Sequence, residues 1–195
     1  SLLTLKRSPP SGAGTGEEML AKKLLIRQYV VETAIHPFVE GVTFDEQLDQ
    51  IAALWAGFSS VAASNPRAAF GEPRSVAELR LAGADNRPLA SPYAKWHVSQ
   101  WNVDQAAALL LCSVGAAEAA GVPRERWVFP HACVESSHTA SLSTRVELHR
   151  WPAMSVLGDA VAEHIGRPLA EIEVQEVYSC FPVAVRVQQR ELGLD

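Results

Sequence analysis

The sequence predicts an α/β layer with a largely parallel sheet, on three observations. The first hundred residues carry helix and loop signals, the second half alternates short apolar runs with helical repeats, and one of those runs is apolar throughout. Strands covered by helices on both faces read as continuous apolar runs, and strand-helix alternation is the pattern of a parallel sheet.

The elements follow in order. Residues 8–16 (SPPSGAGTG) are turn formers and are expected to form a loop. From Glu17 to about Glu40, Leu20, Leu24, Tyr29, Val30 and Ile35 recur at roughly helical spacing up to Pro37, which fits one or two helices. Thr43 and Glu46 form a capping box, and behind it Phe44, Leu48, Ile51, Trp55 and Phe58 mark the clearest amphipathic helix. Asn65-Pro66 ends that region, and Ser75 with Glu78 opens a second capping box, so 64–100 is expected to be loop with short helices. Residues 106–112 form the all-apolar run, 114–120 is Ala-rich and ends at Gly121, and 126–129 is again strand-like. Met154, Leu157, Val161 and Ile165 give helical steps closed by Gly166 and Pro168. Residues 172–178 read as a strand and 182–192 as a helix begun by Pro182. Buried strands are therefore expected at 106–112, 126–130 and 172–178.

Composition narrows the function. Of 195 residues 48% are hydrophobic and 20% charged, ordinary for a globular chain. A net charge of -5 is too acidic for a domain that lives on phosphate backbone, so nucleic acid is not an expected partner. No apolar run approaches the ~18 residues of a membrane-spanning helix, and no membrane span is expected. Three cysteines in apolar contexts, Cys112, Cys133 and Cys180, argue against a disulfide framework and for a cytoplasmic location. The N-terminus has neither an initiator Met nor a signal-peptide core, as expected of a chain that starts inside a longer polypeptide.

Common chemical motifs are missing. The six histidines form no HxxxH or HExxH pair, and Cys133 with His138 is a single loose pair, so no metal is expected. GAGTG at 12–16 lacks the Lys of a phosphate loop, and Asp45, Glu46 and Asp49 read as a solvated helix face. Two segments stand out instead. SPYAKWHVSQWNVDQAAALLLCS (91–113) crowds Trp, His, Gln, Asn and Asp ahead of an apolar run, and EVYSCFP (176–182) delivers Tyr, Ser and Cys to a Pro-started helix. Ends of parallel strands at helix starts are where α/β folds place reactive groups.

LAGADNRPLASPYAKW (81–96), WNVDQAAALLLCSVGAAEAAGVP (101–123), RWVFP (126–130) and VQEVYSCFPVAVRVQQRELGL (174–194), with the earlier FSSVAASNP (58–66), resemble the thiolase superfamily. The similarity is to its acetyl-CoA acetyltransferase-like branch, close to sterol-carrier-protein-type thiolases. The resemblance implies a partial thiolase-like fold: two βαβαβ halves with mainly parallel sheets and an inserted helical loop domain. On that reading 1–90 is the loop-domain-like helical region, 91–150 closes the first half and 151–195 opens the second. The implied function is an acyl-CoA acyltransferase forming or cleaving a C-C bond through a Cys thioester supplied outside this segment, which alone would be inactive. The alternative is a non-catalytic thiolase-like protein binding acyl-CoA or a partner subunit. No cofactor is implied beyond the coenzyme A thioester as substrate. The implied partners are acyl-CoA and either the missing parts of the same polypeptide or a homo-oligomer partner. Tyr178, Ser179 and Cys180 take the catalytic-motif positions of NEAF or HDCF, and Trp101, Asn102 and Phe181 are expected to bind substrate. Two departures matter: Tyr178 replaces Asn or His, and Gln105 stands where Gly is usual.

Overall fold

The computed structural model describes residues 41–100, 103–137 and 140–194. The expected loop at 8–16 and the helices of 17–40 lie outside them. Helix α1 (Phe44–Ala63) starts as the sequence dictates: Thr43 Oγ1 accepts from the Glu46 amide, while the Glu46 carboxylate accepts from the Thr43 amide at 2.6 Å. Ser75 and Glu78 repeat the arrangement at α2 (Val76–Arg80). Strands β1 (Pro88–Ala90) and β2 (Tyr93–Ala94) form an antiparallel hairpin turned at a cis Ser91–Pro92 bond, followed by a 3-10 turn at Lys95–His97. Helices α3 (Val114–Ala119), α4 (Pro152–Ile165) and α5 (Pro182–Leu192) complete the regular structure, with 3-10 turns at Arg124–Arg126, Leu142–Thr144 and Leu169–Glu171.

The parallel α/β sheet is not present among the described residues. Among the described residues 45% are helical and 3% are in strands, and the hairpin is their whole sheet. The runs 106–112, 126–130 and 172–178 contain no strand, and they are largely exposed, with Leu109 at 92% and Leu111 at 81%. Arg126 itself belongs to a 3-10 turn. The physical reason is that a doubly covered strand takes its stability from neighbours outside its own sequence. None of these runs has a strand beside it among the described residues.

The core joins α1, the hairpin and α5. Ile51, Tyr93, Phe181, Val183 and Val187 pack together, with Tyr93 and Phe181 rings 5.7 Å apart. Arg186 donates to Gln50 across the α1-α5 contact. Helix α4 lies against α5 through Gly158, where a Cβ would stand 2.8 Å from Leu192 Cδ2. It ends on Gly166, whose φ of 73° is the left-handed cap that favours Gly.

Polar anchors fix the loops on this core. Asn86, buried, donates through Nδ2 to the carbonyls of Glu78, Leu79 and Leu81 and accepts from the Trp96 amide at 3.0 Å. It closes the open end of α2 and holds it to the turn after the hairpin. Asn86→Ala strands these groups and should lower unfolding free energy by about 2–4 kcal/mol, read from urea denaturation. A loss under about 0.5 kcal/mol, the level of an ordinary surface change, would show that the anchor carries no stability.

Candidate functional site

An aromatic cleft of about 350 Å³ opens between the C-terminal part of α1, the loop after it, the segment following the hairpin and the turn into α5. Trp55, Phe58, Phe70, Val98 and Val103 supply its apolar wall, and Ser99, Gln100 and Ser179 its polar atoms. Helical spacing puts Trp55 and Phe58 side by side on α1, with ring centroids 5.4 Å apart. Phe70 stands edge-on to Trp96 at 5.5 Å. Phe58 and Phe70 remain about half exposed, which is how aromatic groups stand when they line a surface cleft rather than fill a core.

Hydrogen bonds hold the walls. Gln100 folds back and donates through Nε2 to the carbonyls of Lys95 and Val98. The Ser99 amide donates to the Cys180 carbonyl at 3.2 Å, tying this wall to the 178–181 turn. Gln105 donates to the Arg67 carbonyl at 3.0 Å, a bridge across 38 residues that a Gly could not make. His97 is buried, accepts from the Ala94 amide at Nδ1 and lies 2.8 Å from the Leu79 carbonyl through Nε2. A carbonyl only accepts, so Nε2 carries the proton and the ring is neutral.

The sequence-predicted residues part company here. Ser179 lines the cleft. Tyr178 is exposed, its amide donating to Gln188 Oε1 and its carbonyl accepting from Gln188 Nε2 at 2.7 Å. The hydrogen bond with Cys180 and partial burial hold the Tyr178 phenol above its usual value, so it stays protonated at neutral pH. Cys180 is half-buried against the core cluster, and Phe181 is within it. Trp101 and Asn102 lie outside the described residues, although their neighbours Gln100 and Val103 line the cleft. Among the described residues no group of three or more His, Cys, Asp or Glu side chains is arranged to hold a metal.

Sequence reasoning did not assign Trp55, Phe58 and Phe70 to a site. The first two follow the apolar stripe of α1 and read as core. Phe70 sits in a Pro- and Gly-containing loop, NPRAAFGEP, where an isolated aromatic residue was the available signal. A larger groove, about 620 Å³, lies between α4 and α5 and is lined by Arg167, Arg190, Asp159 and Glu191. Its Glu191 carboxylate already accepts from both Arg150 Nε and the Trp151 amide. None of the sequence-predicted residues that are described, Tyr178, Ser179, Cys180 and Phe181, lines it.

Comparison with known proteins places the chain. No protein-family model and no curated protein matches it. A solved structure does: a monomeric SCP2-thiolase like protein type 1 from Mycobacterium smegmatis is 30% identical, with a TM-score of 0.73 over 88% of this chain. The chain spans 37% of the length of that relative. No helix among the described residues is long and apolar enough to cross a membrane.

Burial pushes the His97 pKa down, and its bond to Leu79 only partly opposes this. The unfolded chain takes up that proton near pH 6.5, while the folded chain does so only at lower pH. The unfolded state therefore binds more protons below about pH 6.5, and stability falls as pH drops through that window. The melting temperature should decline from pH 7.5 to 5.5, and His97→Gln should flatten that part of the profile. An identical slope in the variant would remove His97 as the cause.

Proposed function

We propose, for a chain related over most of its length to the SCP2-thiolase-like proteins of the thiolase superfamily, a non-catalytic role in binding acyl-CoA, with the acyl group in the aromatic cleft. The cleft carries this reading. Its volume lies at the lower end of the range for small-molecule sites, about 300–1,000 Å³, and its wall is aromatic with a few polar atoms on one side. An acyl chain removes apolar surface from water there, and the Ser179 and Ser99 hydroxyls in the lining offer donors for a thioester oxygen, while the Gln100 amide donors are already taken by the Lys95 and Val98 carbonyls.

Catalysis is the lesser reading. A thiolase needs a Cys that takes the acyl group and a partner that moves a proton. Tyr178 holds the motif position with a phenol that keeps its proton at neutral pH, so it is no general base there. Cys180 packs half-buried against the core, and the resemblance to HDCF implies that the Cys at this position is not the one that takes the acyl group. Acyl transfer by a longer polypeptide containing this segment is compatible with the cleft, and the binding role does not need it.

Calorimetric titration of the chain with decanoyl-CoA and with free CoA tests the proposal. Decanoyl-CoA should bind tighter by about tenfold or more, the return for burying several methylene groups. Phe58→Ala and the plugging variant Ser179→Trp should each erase most of that difference. Equal affinity for the two ligands would overturn the reading. Acetoacetyl-CoA thiolysis by the same chain should stay at the uncatalysed rate, and turnover would reinstate catalysis.

A further inference from the structure

Beside the cleft, three hydrogen-bond donors meet at one indole ring with no carboxylate to answer them. The Arg74 guanidinium lies 3.5 Å from the Trp96 ring centroid and the Lys95 ammonium 4.2 Å from it. The indole Nε1 of Trp96 is itself buried and finds no acceptor among the described residues. Neither cation has a carboxylate within ion-pair distance among those residues. Glu78, the acid within electrostatic reach of Arg74, already accepts from the Ser75 amide and hydroxyl.

The group is held in place. The Arg74 amide donates to Ser59 Oγ on α1, and the Lys95 amide donates to the Arg87 carbonyl. The Trp96 amide is fixed by Asn86, and its ring meets Phe70 of the cleft wall edge-on. A guanidinium stacked on an aromatic face keeps its in-plane N–H groups free for a planar or tetrahedral anion. A buried donor without an acceptor is costly, and an acceptor-only ligand relieves it.

The geometry points to Arg74, Lys95 and Trp96 as the seat of an anionic group, carboxylate or phosphate, on a ligand whose apolar chain lies in the Trp55–Phe58–Phe70 cleft. The inference rests on the binding reading above and adds to it a charge requirement that apolar burial alone does not impose. An anion there accepts from two cations, and the attached chain needs only to pass Phe70 to reach the cleft.

Calorimetry of the whole chain with decanoate, decyl phosphate and decanol, each below its aggregation concentration, tests this. Decanoate or decyl phosphate should bind about tenfold or more tighter than decanol, the size of a charge-assisted interaction. Whichever of the two is tighter identifies the anion. Arg74→Gln and Lys95→Gln should each bring the anion toward the decanol affinity and weaken its salt dependence, leaving decanol unchanged. Unchanged circular dichroism in both variants keeps the comparison free of misfolding. Equal binding of all three ligands, abolished by Phe58→Ala, would overturn the anion seat and leave the cleft standing. No binding of any of them, nor of decanoyl-CoA, would overturn both.

Discussion

A single carbonyl organises the part of the molecule that carries the cleft. The Leu79 oxygen, at the end of α2, accepts from Asn86 Nδ2 at 3.1 Å and lies 2.8 Å from His97 Nε2. A carbonyl has two lone pairs, and here both are used by buried side chains that arrive from opposite sides of the hairpin. The pairing welds α2, the hairpin and the following turn into one unit, which sets Tyr93 into the core and Trp96 against Phe70. It also explains why a neutral His occupies this place: a charged ring would lose the bond that Nδ1 accepts from the Ala94 amide.

The same economy of polar contacts lets α5 be buried although its sequence is only half apolar. Val183, Val185 and Val187 reach the interior, and so do Gln188 and Glu191. Gln188 closes three hydrogen bonds, two to the Tyr178 backbone and one to the Ala184 carbonyl. Glu191 takes a bidentate Arg150 and the Trp151 amide, whose donated bonds hold its carboxyl below the usual range. Each buried polar group is matched, so the helix can carry the turn with Ser179 on one side and the start of α4 on the other. Burying such groups unmatched would cost far more than the valines return.

What the sequence made legible follows the range of the forces involved. The capping boxes at Thr43 and Ser75, the amphipathic α1, the Pro-started α4 and α5 and the Gly166 stop are set within a few residues, and all of them are present. The strands at 106–112, 126–130 and 172–178 depend on partners far away in sequence, and apolar composition alone could not supply them. The resemblance to thiolases, carried by 81–96, 101–123, 126–130 and 174–194, agrees with a solved relative that is 30% identical. The cleft was half legible: Ser179 came from the motif, while Phe70 and Arg74 sit in a loop that carries no periodic signal. Their role emerges only when Trp96, pinned by Asn86, meets them in space.

Binding and chemistry are separable in this architecture. The cleft is built by α1, the loop that Ser59 and Gln105 hold down, and the unit clamped at Leu79, all stabilised by contacts that close within the described residues. The apolar runs that would have to pair into a sheet are the ones standing in solvent, with Leu109, Leu110 and Val174 more than four-fifths exposed. Apolar backbone left in that state needs strand partners before it can hold a reacting atom to within a fraction of an ångström. Burying an acyl chain demands much less, because the hydrophobic effect is proportional to area and indifferent to direction. A segment spanning 37% of its relative can therefore keep a cleft whose walls are local, and the proposed burial of an acyl chain asks for nothing beyond those walls.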